Sequence, residues 1–257
     1  MRERAWPESV GSEPAVQQPA VGERPYTVLS CAMSLDGHLD DASGRRLVLS
    51  NDADLDRVDE VRAGCDAILV GAGTVRADNP RLIVRSAARR DRRVAAGRSP
   101  SPRRVTVTRG ADLDPHAALF APADSGALVY CATEAVSSAR EQLGESVTVV
   151  DAGTCPDLGR VSEDLAARGV RRLLVEGGQS ILTQFLRGDL ADELQLVVAP
   201  FFVADAGAPR IVGDGPLPWN PDRRAHLAEV RRIEDVVLLR YALSGRYDDD
   251  AAPAVDQ

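Results

Sequence analysis

The chain has 257 residues, a mass of 27.4 kDa and a formal net charge of −8, with 44% hydrophobic and 27% charged residues. That is an ordinary globular composition. Its acidic balance argues against nucleic-acid binding, and no apolar run reaches the ~20 residues of a membrane span. All 31 basic residues are Arg, which excludes Schiff-base lysine enzymes, pyridoxal-phosphate enzymes, Walker-type NTPases and protein kinases, each built around a Lys.

Residues 1–24 are polar and aperiodic and read as a disordered tail, as does the acidic stretch 246–257. The opening MRERAWPESVGSEP lacks the apolar centre of a signal peptide, so a cytoplasmic protein is expected. The body, 25–245, begins with a strand over Tyr26–Met33, mixed in character like a strand covered on both faces. After a turn at Asp36-Gly37, Asn51 or Asp52 caps a helix that places Leu55, Val58 and Val61 on one face. Ala67–Val70 reads as a buried strand. Residues 86–104, with seven arginines among Ser and Pro, read as a solvated loop.

Further on, strands at Arg104–Thr108, Leu128–Cys131, Val147–Val150 and Arg172–Glu176 are predicted, with helices at Glu134–Leu143, Leu158–Arg168 and Gln179–Leu186. Strands at Leu194–Ala199 and Val236–Tyr241 follow with no helix between them. The pattern predicts a one-domain α/β fold: a mostly parallel twisted sheet flanked by helices, with antiparallel edge strands near the C-terminus.

Two junctions that follow buried strands carry chemical interest. In Leu173-Leu174-Val175-Glu176-Gly177-Gly178-Gln179-Ser180 a strand runs into a carboxylate, two glycines and a helix start. Glycines admit close ligand approach, and a helix start favours phosphate. A plain tight turn with a surface Glu fits the same letters. The second junction, Gly71-Ala72-Gly73-Thr74, starts like a dinucleotide fingerprint but has Arg76 at the third glycine. Together the two imply a long phosphate-bearing ligand across the sheet edge. Arg62, Arg76, Arg81 and Arg85 lie nearby and can grip phosphate or simply face solvent. Ser34-Leu35-Asp36-Gly37 is an Asx turn that becomes a site only if other loops converge on it.

Cys31, Cys65, Cys131 and Cys155 form no C-x-x-C pair, and His38, His116 and His226 are scattered, so structural thiols and no metal site are expected. With no nucleophile elbow or Cys–His motif, non-covalent chemistry such as hydride transfer from a nicotinamide remains.

Four segments, RPYTVLSCAMSLDGHL, CDAILVGAGTVRADNPRLIVR, LLVEGGQSILTQFL and DELQLVVAP, resemble in this order the reductase domain of riboflavin biosynthesis proteins. That domain is similar in fold to dihydrofolate reductase. The resemblance implies an NADPH-dependent reductase that forms a homodimer and acts on a phosphorylated small molecule. Its substrate would be a ribosylaminopyrimidine 5′-phosphate, of the 5-amino-6-(5-phosphoribosylamino)uracil type, reduced at C1′ of the opened ribose. Same-fold reductases of dihydrofolate or another pyrimidine or pteridine, and a non-catalytic nucleotide-binding relative, are the alternatives. The deaminase signature, H-x-E with P-C-x-x-C, does not occur, so a reductase without that domain is expected.

By motif, the resemblance implies that Thr74, Asp78 and the run Gly177, Gly178, Gln179, Ser180, Ile181 and Leu182 contact the cofactor. It assigns Arg62, Leu82, Arg85 and Glu176 to the substrate. Glu176 and Asp36 are the catalytic candidates. The family pattern S-G-E-S-x-W-I-T is here Ser43-Gly44-Arg45-Arg46-Leu47-Val48-Leu49-Ser50, which places Arg46 at a substrate position and Val48 at a cofactor position. Arg109 falls near a family cofactor Ser and is a candidate for the 2′-phosphate of NADPH.

Overall fold

A computed structural model describes residues 24–41, 43, 47–123 and 125–247. Most of both predicted tails, and Arg46, lie outside the described residues. The strands are β1 (Tyr26–Met33), β2 (Ala67–Gly71), β3 (Arg103–Val107), β4 (Ala127–Cys131), β5 (Val147–Asp151), β6 (Arg172–Val175), β7 (Glu193–Val198), β8 (His226–Ile233) and β9 (Val236–Ala242). The helices are α1 (Asp52–Gly64), α2 (Ala72–Asp78), α3 (Ala87–Ala95), α4 (Val136–Leu143), α5 (Leu158–Ala167) and α6 (Gln179–Arg187).

The strands form one sheet in the order β5-β4-β3-β2-β6-β1-β7-β9-β8. From β5 to β7 every pairing is parallel, while β9 runs antiparallel to β7 and β8 antiparallel to β9. This is the predicted architecture, including the antiparallel edge. The central strands are apolar on both sides because helices cover both faces. Val28, Ile68, Val70, Val129 and Leu174 face one layer with Val61, Val75 and Leu143. Leu29, Leu69, Val105, Leu128 and Val175 face the other, against Val161, Leu165, Ile181 and Phe185. Among the described residues no helix is long and apolar enough to cross a membrane.

Three local readings are corrected. Residues 87–95, read as loop, form α3. Its signal is polar: Ser86 caps it by accepting from the Arg89 N–H, and Arg89 bonds Asp56, Asp59 and Glu60 of α1. A helix held by ion pairs carries no apolar stripe to find. Residues 72–78, read as loop, form α2 directly after β2. The strand β8 was missed because its charged residues and its bulge between Leu227 and Glu229 mask alternation, as edge strands commonly do.

Asp192, fully buried before β7, ties the chain ends to the body. It accepts from both Arg24 terminal nitrogens (2.6 and 2.9 Å), the Thr27 N–H (2.8 Å) and the Ser244 hydroxyl (2.6 Å), with Arg246 at 3.4 Å. Arg24 and Arg246, at the inner margins of the predicted tails, thus bond the same carboxylate. Asp192→Ala leaves buried cationic and N–H donors without an acceptor. Its expected cost is about 3–5 kcal/mol, read as a lower urea midpoint, and an unchanged midpoint would refute the anchoring role.

Candidate active site

The parallel strands β1, β6 and β2 lie side by side, so the turns that follow β2 and β6 emerge at one sheet edge. Open α/β sheets bind ligands at this carboxyl edge. A cleft of about 490 Å³ opens there, within the range of small-molecule sites. It is bounded by the middle of β1, residues 39–40 and 47–50, α1, α2 and the turn 176–180.

The two glycine junctions meet in it. Gly177 and Gly178 have φ of +102° and +84°, which side-chain-bearing residues rarely adopt. A Cβ on Gly178 would stand 3.0 Å from the Thr74 hydroxyl, and one on Gly71 would stand 2.7 Å from Ile181 Cγ1. The glycines therefore let β2–α2 and β6–α6 interlock. Helix α6 begins at Gly178 with no side-chain cap, so its first N–H groups remain for a ligand.

Glu176 sits just past β6. Its N–H donates to the Leu69 carbonyl (3.0 Å), fixing it against β2. Its carboxylate meets Arg62 of α1 in a bidentate pair, Nε to Oε1 at 2.6 Å and Nη2 to Oε2 at 2.5 Å. Arg62 Nη1 donates to the Ile83 carbonyl. Burial pulls the Arg62 guanidinium down, but Glu176, with Asp59 adding, outweighs it and raises the pKa, so the cation is secure. Cys31 also lines the cleft, and burial pushes its thiol up to about 12, so it presents no thiolate.

Of the residues expected at the site, the structure brings Glu176, Arg62, Val48, Thr74, Asp78, Gly177, Gly178, Gln179 and Ser180 into this lining. Others are placed elsewhere. Asp36 turns its carboxylate to the Ser34 hydroxyl and to the N–H groups of Val203 and Ala204, which pull its pKa below the ordinary range. It anchors the loop after β7 and does not face the cleft. Leu82 is 2% exposed and belongs to the core, where its neighbour Ile83 supports Arg62. Leu182 is also core, and its N–H is bonded to the Gly178 carbonyl, while the Ile181 side chain packs on Gly71. Arg85 is half exposed, donating to the Leu55 carbonyl outside the lining. Arg109 is exposed just after β3, one strand beyond β2, at the same sheet edge.

The floor of the cleft was not foreseen. Arg57 bonds Asp54 (2.7 Å) and Gln195 (2.6 Å), and Gln195 bonds Glu193 (2.8 Å). Helical spacing back from Arg62 reaches Val58, Leu55 and Asp54, all of which line the cleft, so the period held the signal. Of the helix face formed by Leu55, Val58 and Val61, the first two are cleft walls and Val61 is core. Among the described residues no group of His, Cys, Asp and Glu is arranged to hold a metal ion.

Comparison with known proteins identifies the family. A family described as the RibD C-terminal domain matches residues 25–239. A protein of Archaeoglobus fulgidus named 2,5-diamino-6-ribosylamino-4(3H)-pyrimidinone 5′-phosphate reductase is 35% identical over 189 residues, covering 73% of this chain and 86% of that protein. One of the same name from Methanothermobacter thermautotrophicus is 35% identical over 227 residues, 86% of this chain and 100% of its own. The solved structure of a pyrimidine reductase-like protein from Corynebacterium diphtheriae superposes with a TM-score of 0.73 at 24% identity, over 85% of this chain and 91% of that one. Sharing sequence along nearly the whole body and the fold with such proteins, this chain belongs to the RibD C-terminal domain family, the reductases of riboflavin biosynthesis.

Proposed function

We propose that the protein reduces 2,5-diamino-6-ribosylamino-4(3H)-pyrimidinone 5′-phosphate to its ribitylamino form with NADPH. The observation that carries this is the Glu176–Arg62 pair facing two interlocked glycine turns across one cleft. When bound, the reduced nicotinamide supplies the hydride. The uncapped start of α6, the glycine turn and Thr74 would hold its phosphates, and Arg109, exposed after β3 at the same sheet edge, is our candidate for the 2′-phosphate.

The remaining work belongs to the chain. Each Glu176 oxygen accepts one bond from Arg62 and keeps capacity for a pyrimidine amino group or a ribose hydroxyl. Arg62 uses three of its five N–H groups on Glu176 and Ile83, leaving two for the substrate phosphate. Leu47, Leu49, Leu55 and Val58 supply apolar walls that limit water around the reacting carbon. The two 35%-identical relatives are named for the undeaminated substrate, which favours reduction before deamination here.

The test follows loss of reduced-nicotinamide absorbance with the diamino compound, its deaminated analogue and dihydrofolate in parallel. Fastest turnover of the diamino compound is expected. Turnover of dihydrofolate alone, or of none, would overturn the reading. Glu176→Gln removes a charged acceptor and is expected to lower kcat/KM about ten- to hundredfold. Gly178→Ala, strained by its positive φ and by Thr74, is expected to weaken NADPH binding about tenfold by titration, with an unchanged Kd counting against the cradle.

A homodimer is the accompanying proposal. On the outer sheet, Leu227 pairs with Tyr241 and Val230 with Leu239, so they share one face with Val237. Leu227, Val230 and Val237 are 45%, 61% and 37% exposed. Such a face on an edge strand invites a partner. Val230→Asp combined with Val237→Asp is expected to halve the mass seen by light scattering, and a native protein already of single-chain mass would sink the idea.

A further inference from the structure

A second cavity, about 190 Å³, opens at the opposite edge of the sheet, where β2, β3 and β6 begin. Its lining includes Arg93, Arg98, Arg103 and Arg168, and Asp66 is the one carboxylate among its lining residues. It lies apart from the cleft and shares no lining residue with it.

The charges here do not balance. Asp66 gives Oδ1 to Arg98 (2.8 Å) and Oδ2 to the N–H groups of Arg171 and Arg172. Arg168 is matched by Asp164 (2.6 Å). Arg93 is only 4% exposed, yet its partners are all carbonyl oxygens: Ser99 (2.8 Å), Ala63 (2.8 Å) and Cys65 (2.7 Å). Arg103 bonds the Ser125 carbonyl through Nε. Neither Arg93 nor Arg103 has a carboxylate partner among the described residues. Burial, with Arg98 beside it, lowers Arg93 to about 10, so it stays protonated at neutral pH. The next residue along β3, Arg104, is 3% exposed with no partner for its Nε.

By contrast, the well-buried Arg57 is matched by Asp54 and Arg62 by Glu176. Arg89 meets three carboxylates, and Arg240 meets two. Burying a guanidinium without a counter-ion is costly, and three carbonyls orient it without neutralising it. The surplus at the cavity is two positive charges, from Arg93 and Arg103. Ser99, Ser101 and Ser125 also line this space. A volume below that of drug-sized pockets, about 300 Å³ and upward, suits a small oxyanion.

We propose that this cavity is a second anion site that takes a phosphate dianion, either free orthophosphate or the phosphate of a small monoester. Guanidiniums in this arrangement bind phosphate through charge-assisted and bidentate hydrogen bonds. The site is independent of the reductase reading, because none of its residues touches the cleft.

The test uses the full chain with the cleft saturated by NADPH. Inorganic phosphate and ribose 5-phosphate are titrated separately at constant ionic strength, with chloride as the reference, by calorimetry and by thermal unfolding. Phosphate is expected to bind and to raise Tm beyond the chloride reference. Arg103→Gln, at the cavity rim, is expected to weaken that binding at least tenfold while leaving NADPH oxidation intact, with Arg168→Gln as a second, independent rim variant. Tighter binding of ribose 5-phosphate would identify the monoester as occupant, and tighter orthophosphate the free ion. Absence of binding beyond chloride would overturn the proposal. So would binding that survives both rim variants, or that disappears in Arg62→Gln.

Discussion

The bidentate contact between Arg62 and Glu176 is the interaction on which the cleft depends. It joins α1 to the end of β6, and Glu176 is itself held to β2 through the Leu69 carbonyl. Three elements that are distant in sequence are thereby fixed relative to one another. The glycine turns can interlock because β2 and β6 are adjacent, and their adjacency follows from the parallel register that pairs Leu69 with Val175. Loss of the pair would remove the tie between the C-terminal turn of α1 and the end of β6, leaving α1 held by Arg57 to β7 and by Val61 in the core.

Its energetics say what the pair is for. Arg62 and Glu176 are 17% and 13% exposed, so both lose most of their hydration. Attraction between contact charges near a protein surface is about 4 kcal/mol. Desolvation costs several kcal/mol for each ion. These terms nearly offset, so the pair adds little net stability. What it secures is position: a carboxylate held at the cleft beside a guanidinium that keeps two N–H groups unused by Glu176 and Ile83. Those are recognition properties, and they explain why a costly arrangement sits at the mouth of a cleft instead of in a packed apolar contact.

Legibility in the sequence followed the physical source of each signal. Runs buried on both faces, such as Ala67–Val70 and Leu173–Val175, were visible because composition alone marks them. The E-G-G turn was visible because a backbone with positive φ demands glycine, whereas Gly71 of the G-A-G-T junction is required by the close approach of Ile181. Asp36, Leu82 and Leu182 stand outside the cleft lining for one reason: proximity in a motif does not determine the direction of a side chain. Asp36 satisfies backbone N–H groups of residues 203 and 204, far along the chain, and no local pattern encodes that. The Arg57–Gln195–Glu193 floor is hidden likewise, since it joins α1 to β7 across the fold. Helix α3 lacked an apolar stripe because its cohesion comes from acids on α1.

The absence of lysine gives these contacts a common logic. Every side-chain cation other than a protonated histidine is a planar guanidinium with five donors, which cannot be satisfied by a single point contact. Where carboxylates surround it, as at Arg89 and Arg240, the group closes on the protein and rigidifies a helix pair or a sheet edge. Where they run short, donors are left facing space. That occurs in the cleft, where Arg62 is only partly consumed by Glu176, and at the opposite sheet edge around Arg93 and Arg103. In a chain carrying net negative charge, these local excesses of positive charge cannot arise from a general surplus of cations. They mark places where the fold has withheld an acid, and an external anion is the partner that completes the hydrogen bonding there.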